Sequence, residues 1–176
     1  MRKILSCLLL SVMVLVPLHV AAEETDSPTP HVDKIPVYRA YNPFSGEHLF
    51  TVSTAEYEKV GNAGWTKEGI AFQVPVKSES PVYRLYNPNG STTDGVIVGD
   101  HHYTTSAVEK DYLISAGWIY EGIVFYSCDE HEVKNYRLYN PNANAGAHHY
   151  TVSEGEVAYL VSIGWRDEGV GFYSCK

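Results

Sequence analysis

The chain has 176 residues, with 21 acidic against 13 basic side chains and a formal net charge of −8 at pH 7. That balance argues against nucleic acid or an anionic membrane surface as partner, because both are bound through clustered Lys and Arg. With 14 tyrosines and 44% hydrophobic residues, the composition suits one β-rich domain large enough to bury a core.

Met1 to Ala22 reads as a secretory signal peptide. Arg2 and Lys3 precede an apolar run from Ile4 to Val16, and Val20-Ala21-Ala22 is a small-residue cleavage site. Pro17 and His19 interrupt the apolar stretch, so it is too short to serve comfortably as a membrane span. Cleavage removes two basic residues and no acidic one, leaving 11 against 21 and a net charge of −10. The mature chain is expected to be secreted or periplasmic, with no membrane association and no nucleic-acid partner. Residues 23–35 are acidic, contain Pro28 and Pro30, and read as a disordered leader.

From residue 36 the sequence repeats itself three times. Tyr38-Arg39-Ala40-Tyr41-Asn42-Pro43 returns as Tyr83-Arg84-Leu85-Tyr86-Asn87-Pro88 and as Tyr136-Arg137-Leu138-Tyr139-Asn140-Pro141. A His-x-aromatic-Thr run follows each copy at His48, His101 and His148, then Gly-Trp at 64–65, 117–118 and 164–165, then Glu-Gly-x-x-Phe from Glu68, Glu121 and Glu168. The repeats are expected at 36–75, 81–128 and 135–175. A residue present three times serves the fold or a triplicated binding site; a catalytic centre is usually single.

Each repeat opens on a strand-forming segment such as Val82 to Tyr86, which Asn-Pro ends because Pro cannot donate to a ladder. A second short strand carries the His-x-aromatic-Thr run. A capping box follows every time, as Ser53-x-x-Glu56, Ser106-x-x-Glu109 and Ser153-x-x-Glu156. It predicts helices near 53–63, 106–116 and 153–163, ended by Gly64, Gly117 and Gly164 at a left-handed C′ position. A third strand carries Ile70 and Phe72, Ile123 and Phe125, Val170 and Phe172. The expected fold is α+β: three strand–strand–helix–strand repeats in a pseudo-threefold single domain, monomeric, because no single unit buries enough surface alone. A β-trefoil is the alternative; the helix in each copy counts against it.

The motif Y-R-L-Y-N-P … H-x-Y-T … G-W-x-x-E-G resembles that of a family of secreted repeat proteins of unknown function. Their copies are often appended to cell-wall or carbohydrate hydrolases. The resemblance covers the whole mature chain and implies a non-catalytic extracellular module that binds glycan or cell wall. No catalytic domain is expected beside the repeats. Repeat one departs most, with Ala40, Leu49 and Phe50 where the others have Leu, His and Tyr.

Strand parity sorts the recurring polar residues. Ala40, Leu85 and Leu138 mark the core face, so Arg39, Arg84 and Arg137 point away beside Tyr41, Tyr86 and Tyr139, followed by Asn42, Asn87 and Asn140. These nine are the candidate ligand-binding residues: a guanidinium fork and flat phenol rings suit sugar hydroxyls or a carboxylate. The competing reading is a structural ion pair with Glu68, Glu121 and Glu168. His48, His101 and His148 read as half-buried structural residues partnered by those glutamates, in preference to zinc ligands or an acid–base dyad. His102 and His149 are expected on the more exposed face. Trp65, Trp118 and Trp165 read as core plugs at the helix-to-strand corner.

Repeat two inserts residues 89–100, and Val96, Ile97 and Val98 within it form a candidate partner loop. Cys7 leaves with the signal peptide; Cys128 and Cys175, both after Phe-Tyr-Ser, are expected to form a disulfide in an exported protein. A metal site on them lacks ligands at the usual spacing. The sequence therefore favours a non-catalytic module for glycan or cell-surface polymer, with no cofactor and no metal. The alternative is a protein-interaction or inhibitor module using the repeat-two loop. A hydrolase is least supported, since no nucleophile, paired-carboxylate or complete metal signature is present.

Overall fold

The computed structural model describes residues 33–89, 99–143 and 145–176, with the main chain alone at 92–93 and 96–97. The expected signal peptide, the leader as far as residue 32, Val98, and the side chains of Val96 and Ile97 lie outside the described residues. Repeat one contains β1 (Lys34–Tyr41), β2 (His48–Thr51), α1 (Thr54–Asn62) and β3 (Thr66–Pro75). Repeat two contains β4 (Pro81–Asn87), the two-residue strands β5 (Thr92–Thr93) and β6 (Val96–Ile97), then β7 (Asp100–Thr104), α2 (Ala107–Ser115) and β8 (Ile119–Tyr126). Repeat three contains β9 (Val133–Tyr139), β10 (His148–Thr151), α3 (Glu154–Ser162) and β11 (Arg166–Ser174). Each repeat makes one three-stranded antiparallel sheet, in the orders β2-β1-β3, β7-β4-β8 and β10-β9-β11. The Tyr-Arg-x-Tyr segment is therefore the central strand every time. β1 begins inside the expected leader, because Lys34 and Ile35 pair with Pro75 and Val74.

The helices start where the sequence placed them, but only half of the capping box forms. Ser53, Ser106 and Ser153 accept from the N–H of Glu56, Glu109 and Glu156 at 3.2 Å. The cap residue's own N–H donates instead to Thr51, Thr104 or Thr151 Oγ1 at 3.0 Å. The threonine ending each edge strand thus does the work expected of the glutamate, and the three carboxylates are free to reach elsewhere. Gly64, Gly117 and Gly164 follow the helices with φ of +96, +95 and +102°, a left-handed turn that L side chains resist.

Strand parity fails in the third strand of each repeat. The register of β1 against β3 slips between Val37 and Tyr38 and between Arg39 and Ala40, leaving Ala71 and Glu68 as extra residues. β4 against β8 slips at the same two places, leaving Val124 and Glu121 unpaired. The glycine after each glutamate takes a positive φ, +91° at Gly69 and +107° at Gly122. One consequence corrects the expected shared face: Phe72 is buried while Ile70, two residues away, is 57% exposed. The other is that Glu68, Glu121 and Glu168 turn toward the central arginine.

The core is aromatic and threefold in its contacts. Phe50, Tyr103 and Tyr150 form one triangle of rings, with centroids 5.4–5.9 Å apart and near-perpendicular planes. Phe72, Phe125 and Phe172 form a second, at 5.4–6.1 Å. Within each repeat the two rings stack, at 5.9, 6.1 and 5.7 Å. Edge-to-face contact between repeats and offset stacking within them are both favourable geometries. Val37, Val82 and Asn135 cap this prism at equivalent positions and are all 0% exposed. Neither amide atom of Asn135 has a hydrogen-bond partner among the described residues.

The ends of β8 and β11 also meet. Cys128 N–H donates to Tyr173 O, Cys175 N–H donates to Gln73 O, and the two buried thiol sulfurs lie 2.9 Å apart. Contrary to the expectation of no nearby ligand, Glu132 lies within 4.8 Å of both sulfurs. Its carboxylate accepts from Lys176 N–H at 2.6 Å.

Candidate functional site

The recurring charged residues gather at three seams where one repeat meets the next. The central strand supplies an arginine, and the adjoining bulge aims a glutamate at its Nε: Arg39–Glu68 at 2.7 Å, Arg84–Glu121 at 2.6 Å, Arg137–Glu168 at 2.8 Å. The first residue of the edge strand puts a histidine Nε2 near the same carboxylate, His48 at 3.5 Å, His101 at 3.3 Å and His148 at 3.6 Å. Tyr41, Tyr86 and Tyr139 lie across from these histidines in register, with ring centroids 5.0–5.2 Å away.

The preceding repeat adds the glutamate that its capping box released. Arg84 of repeat two reaches Glu56 of repeat one through two bonds of 2.8 and 2.9 Å. Arg137 of repeat three reaches Glu109 of repeat two at 2.9 and 3.0 Å. The Arg84 pair, two nitrogens on two oxygens, is among the stronger polar contacts in proteins, whereas Arg137 shares one nitrogen, Nη1, between both oxygens. Burial opposes the charge of Glu56, but hydrogen bonds from Arg84 and Thr51 outweigh it and hold its pKa below the ordinary value. Glu109 is held low as well, by His102, Thr104 and Arg137 against its burial.

A second clamp runs in the same direction. Tyr103 Oη accepts from Phe50 N–H at 2.8 Å and donates to Phe50 O at 3.1 Å. Tyr150 Oη does the same for Tyr103, at 2.9 and 2.8 Å. The phenol of one repeat thus satisfies the outward main chain of the preceding edge strand.

The third seam, between repeats three and one, lacks both clamps. Phe50 carries no hydroxyl to offer Tyr150. Arg39 has Glu68 as its only carboxylate partner among the described residues, and its side chain is 27% exposed, against 9% for Arg84. Glu156, the counterpart of Glu56 and Glu109, lies 3.3 Å from His149 Nε2. A cleft of about 240 Å³ opens between them, lined by Arg39, Glu68, Ile70, Phe72, Val152 and Glu156 among others. His149, with a hydrogen bond from Thr151, outweighs burial and holds Glu156 down to about 2.

The histidines also differ by seam. His48 packs on His149 at 4.7 Å and His148 on His102 at 4.5 Å. Burial, with a neighbouring histidine and arginine, lowers both His48 and His148 to about 3. Repeat one has Leu49 at the position of His102 and His149, and Glu47 contacts His101 Nδ1. Burial opposes its charge as well, but Glu121 and Glu47 raise it to about 9.

Of the nine sequence candidates, the arginines line the seams, the tyrosines cover the histidines, and the asparagines make turns. Asn42, Asn87 and Asn140 each accept from the N–H two residues on, at 3.0 Å. His102 and His149 are buried, at 3% and 4% exposure, where the exposed face was expected. The reason is cover from two sides, by the next repeat's histidine and by the edges of Trp118 and Trp165 at 6.1 and 6.3 Å. Those tryptophans are half-buried lids on the histidines, outside the aromatic prism. Sequence reasoning missed Glu56, Glu109 and Glu156 as partners of the arginines because it assigned them to the helix cap. The signal was countable: each repeat carries two recurring glutamates for one recurring arginine.

No curated protein matches the chain, and no solved structure does. A family model matches residues 19–98 and again 36–175, overlapping as a repeated sequence would. The chain therefore belongs to the family described as a domain of unknown function, DUF5648.

Proposed function

We propose that this protein is a secreted, non-catalytic binding module whose ligand, a glycan or cell-surface polymer, enters the cleft between repeats three and one. The observation that carries this reading is the broken symmetry: the same charged cluster occurs three times and is left open once. A guanidinium, two carboxylates and an apolar floor in one concavity provide the mixture of surfaces that sugars need. Catalysis fits less well. A glycosidase pair requires a carboxyl held protonated as general acid, whereas Glu156 is held down to about 2 and Glu68 is tied to Arg39 at 2.7 Å.

Export after signal cleavage and a Cys128–Cys175 disulfide belong to the same proposal. Two sulfurs 2.9 Å apart are closer than thiolates sharing a tetrahedral zinc, about 3.8 Å apart for Zn–S bonds of about 2.3 Å. The test is depletion of the mature protein from solution by insoluble polysaccharides, namely cellulose, chitin and cell-wall sacculi. Depletion by at least one of these, with no release of soluble sugar, is expected. Depletion by none of them, or release of reducing ends from any, refutes the reading.

A further inference from the structure

We infer that the open seam takes one neutral sugar unit per chain, held through two adjacent hydroxyls that sit between Arg39 and Glu156. This rests on the reading of the cleft as a glycan site and names the chemistry of its ligand.

Charge comes first. The cleft holds one fixed cation, Arg39, and two carboxylates, Glu68 and Glu156. Glu68 already occupies Arg39 Nε at 2.7 Å. A ligand carboxylate would compete for one guanidinium while facing two negative neighbours, so an acidic sugar is disfavoured. A free cation would meet Arg39.

Hydrogen-bonding capacity comes second. A guanidinium has five N–H donors and no acceptor; an ionised carboxylate has only acceptors. The Nη groups of Arg39 have no protein partner among the described residues, whereas those of Arg84 and one of those of Arg137 are taken by glutamate. His149 Nε2 lies 3.3 Å from Glu156, but among the described residues no arginine or lysine pairs with that carboxylate. The missing occupant must therefore accept on one side and donate on the other. A hydroxyl does both, and a pair of neighbouring hydroxyls offers a donor and an acceptor together.

Shape and count come third. Ile70 and Val152, 57% and 38% exposed, offer an apolar wall to the C–H face of a sugar ring. The volume of about 240 Å³ is below the roughly 300–1,000 Å³ of drug-sized pockets, so it suits one unit of a chain. At the two other seams the Arg84–Glu56 and Arg137–Glu109 bonds fill the equivalent space. Three repeats thus give one site.

The experiment is titration calorimetry of the mature protein with three hexameric probes: a neutral β-glucan, an N-acetylglucosamine oligomer and a polygalacturonate. Binding of a neutral probe at one per chain is expected. Glu156→Gln should weaken it at least tenfold, and Val152→Trp and Ile70→Arg, both at exposed positions, should abolish it. Glu109→Gln, at a closed seam, should leave affinity within twofold. A stoichiometry of three, tighter binding of polygalacturonate, or unchanged affinity in both blocking variants overturns the inference while leaving glycan binding standing. Failure of all three probes, together with failure of the depletion assay, removes the glycan reading itself.

Discussion

Asn135→Val should stabilise the protein. Asn135 is 0% exposed and sits where repeats one and two place Val37 and Val82. It pairs in register with Phe172, beside the six-ring prism, and neither amide atom has a hydrogen-bond partner among the described residues. An unsatisfied buried polar group costs roughly 1–3 kcal/mol, and replacing it with an apolar group of like shape removes that cost. Valine is close to asparagine in size, so little strain or cavity should follow. The expected gain is about 2 kcal/mol. With a urea m-value of about 2 kcal/mol/M, the midpoint should rise by about 1 M at unchanged slope. On the thermal side the same gain is about 4–8 °C for a domain of this size. Val82→Asn, the reverse change at the equivalent site, should lose a comparable amount. If Asn135→Val is instead destabilised by more than about 1 kcal/mol, the amide has a partner, such as a buried water, and the reasoning is wrong.

The seams give further expectations. Arg84→Ala leaves Glu56 and Glu121 facing each other without their cation and should cost about 3–5 kcal/mol in urea melts, whereas Arg39→Ala, at the open seam, should cost about 1 kcal/mol or less; equal costs would deny that the third seam differs. His101 is raised to about 9 from an ordinary 6.5, so its stabilisation is full below pH 6.5 and is lost as pH rises through about 9. Stability measured from pH 6.5 to 9 should fall in the parent and stay flatter in His101→Gln; parallel curves would contradict the assignment. Phe50→Tyr supplies the hydroxyl that Tyr103 and Tyr150 already use, and should raise the urea midpoint while weakening ligand binding; a lower midpoint would mean the phenol does not reach Tyr150. The oxidised protein should weigh two hydrogens less than the reduced chain, and replacing both cysteines with serine should cost about 2–5 kcal/mol; two freely alkylated thiols without reductant would exclude the bond.

Local signals made much of the fold legible. Three serines at one offset from three glutamates located the helices to within a residue at each end, because a cap is a local hydrogen bond. The glycines after the helices were legible for the same reason. The bulges were not. A bulge is a register choice between two strands, and the sequence of one strand does not announce which residue is left over. Parity therefore predicted that Ile70 and Phe72 share a face, which the skipped Ala71 prevents. The burial of His102 and His149 was hidden likewise, since the residues covering them come from another repeat and from beyond the next helix. The departures of repeat one, Leu49 and Phe50, were visible in the chain. Their meaning depends on which repeat follows which around the domain.

That order bears on function. Repeats one and two, and repeats two and three, are joined by short connectors, and the second junction also brings Cys128 to Cys175. Repeats three and one have no connector. Contacts such as Cys175 N–H to Gln73 O at 2.9 Å and Lys34 Nζ to Lys176 O at 2.8 Å hold them together. Were stability the only pressure, the strongest non-covalent clamps would belong at this seam, where the chain itself offers no restraint. Instead both the phenol clamp and the arginine–glutamate clamp are absent there and present at the other two. Stabilising contacts made at two seams and missing at the third, through Phe50 in one case and an Arg39 that does not reach Glu156 in the other, are the kind of departure from local consistency that proteins keep at functional sites. Variants that close the third seam should gain stability and lose binding together, and a variant that gained stability with binding intact would break the link between the two.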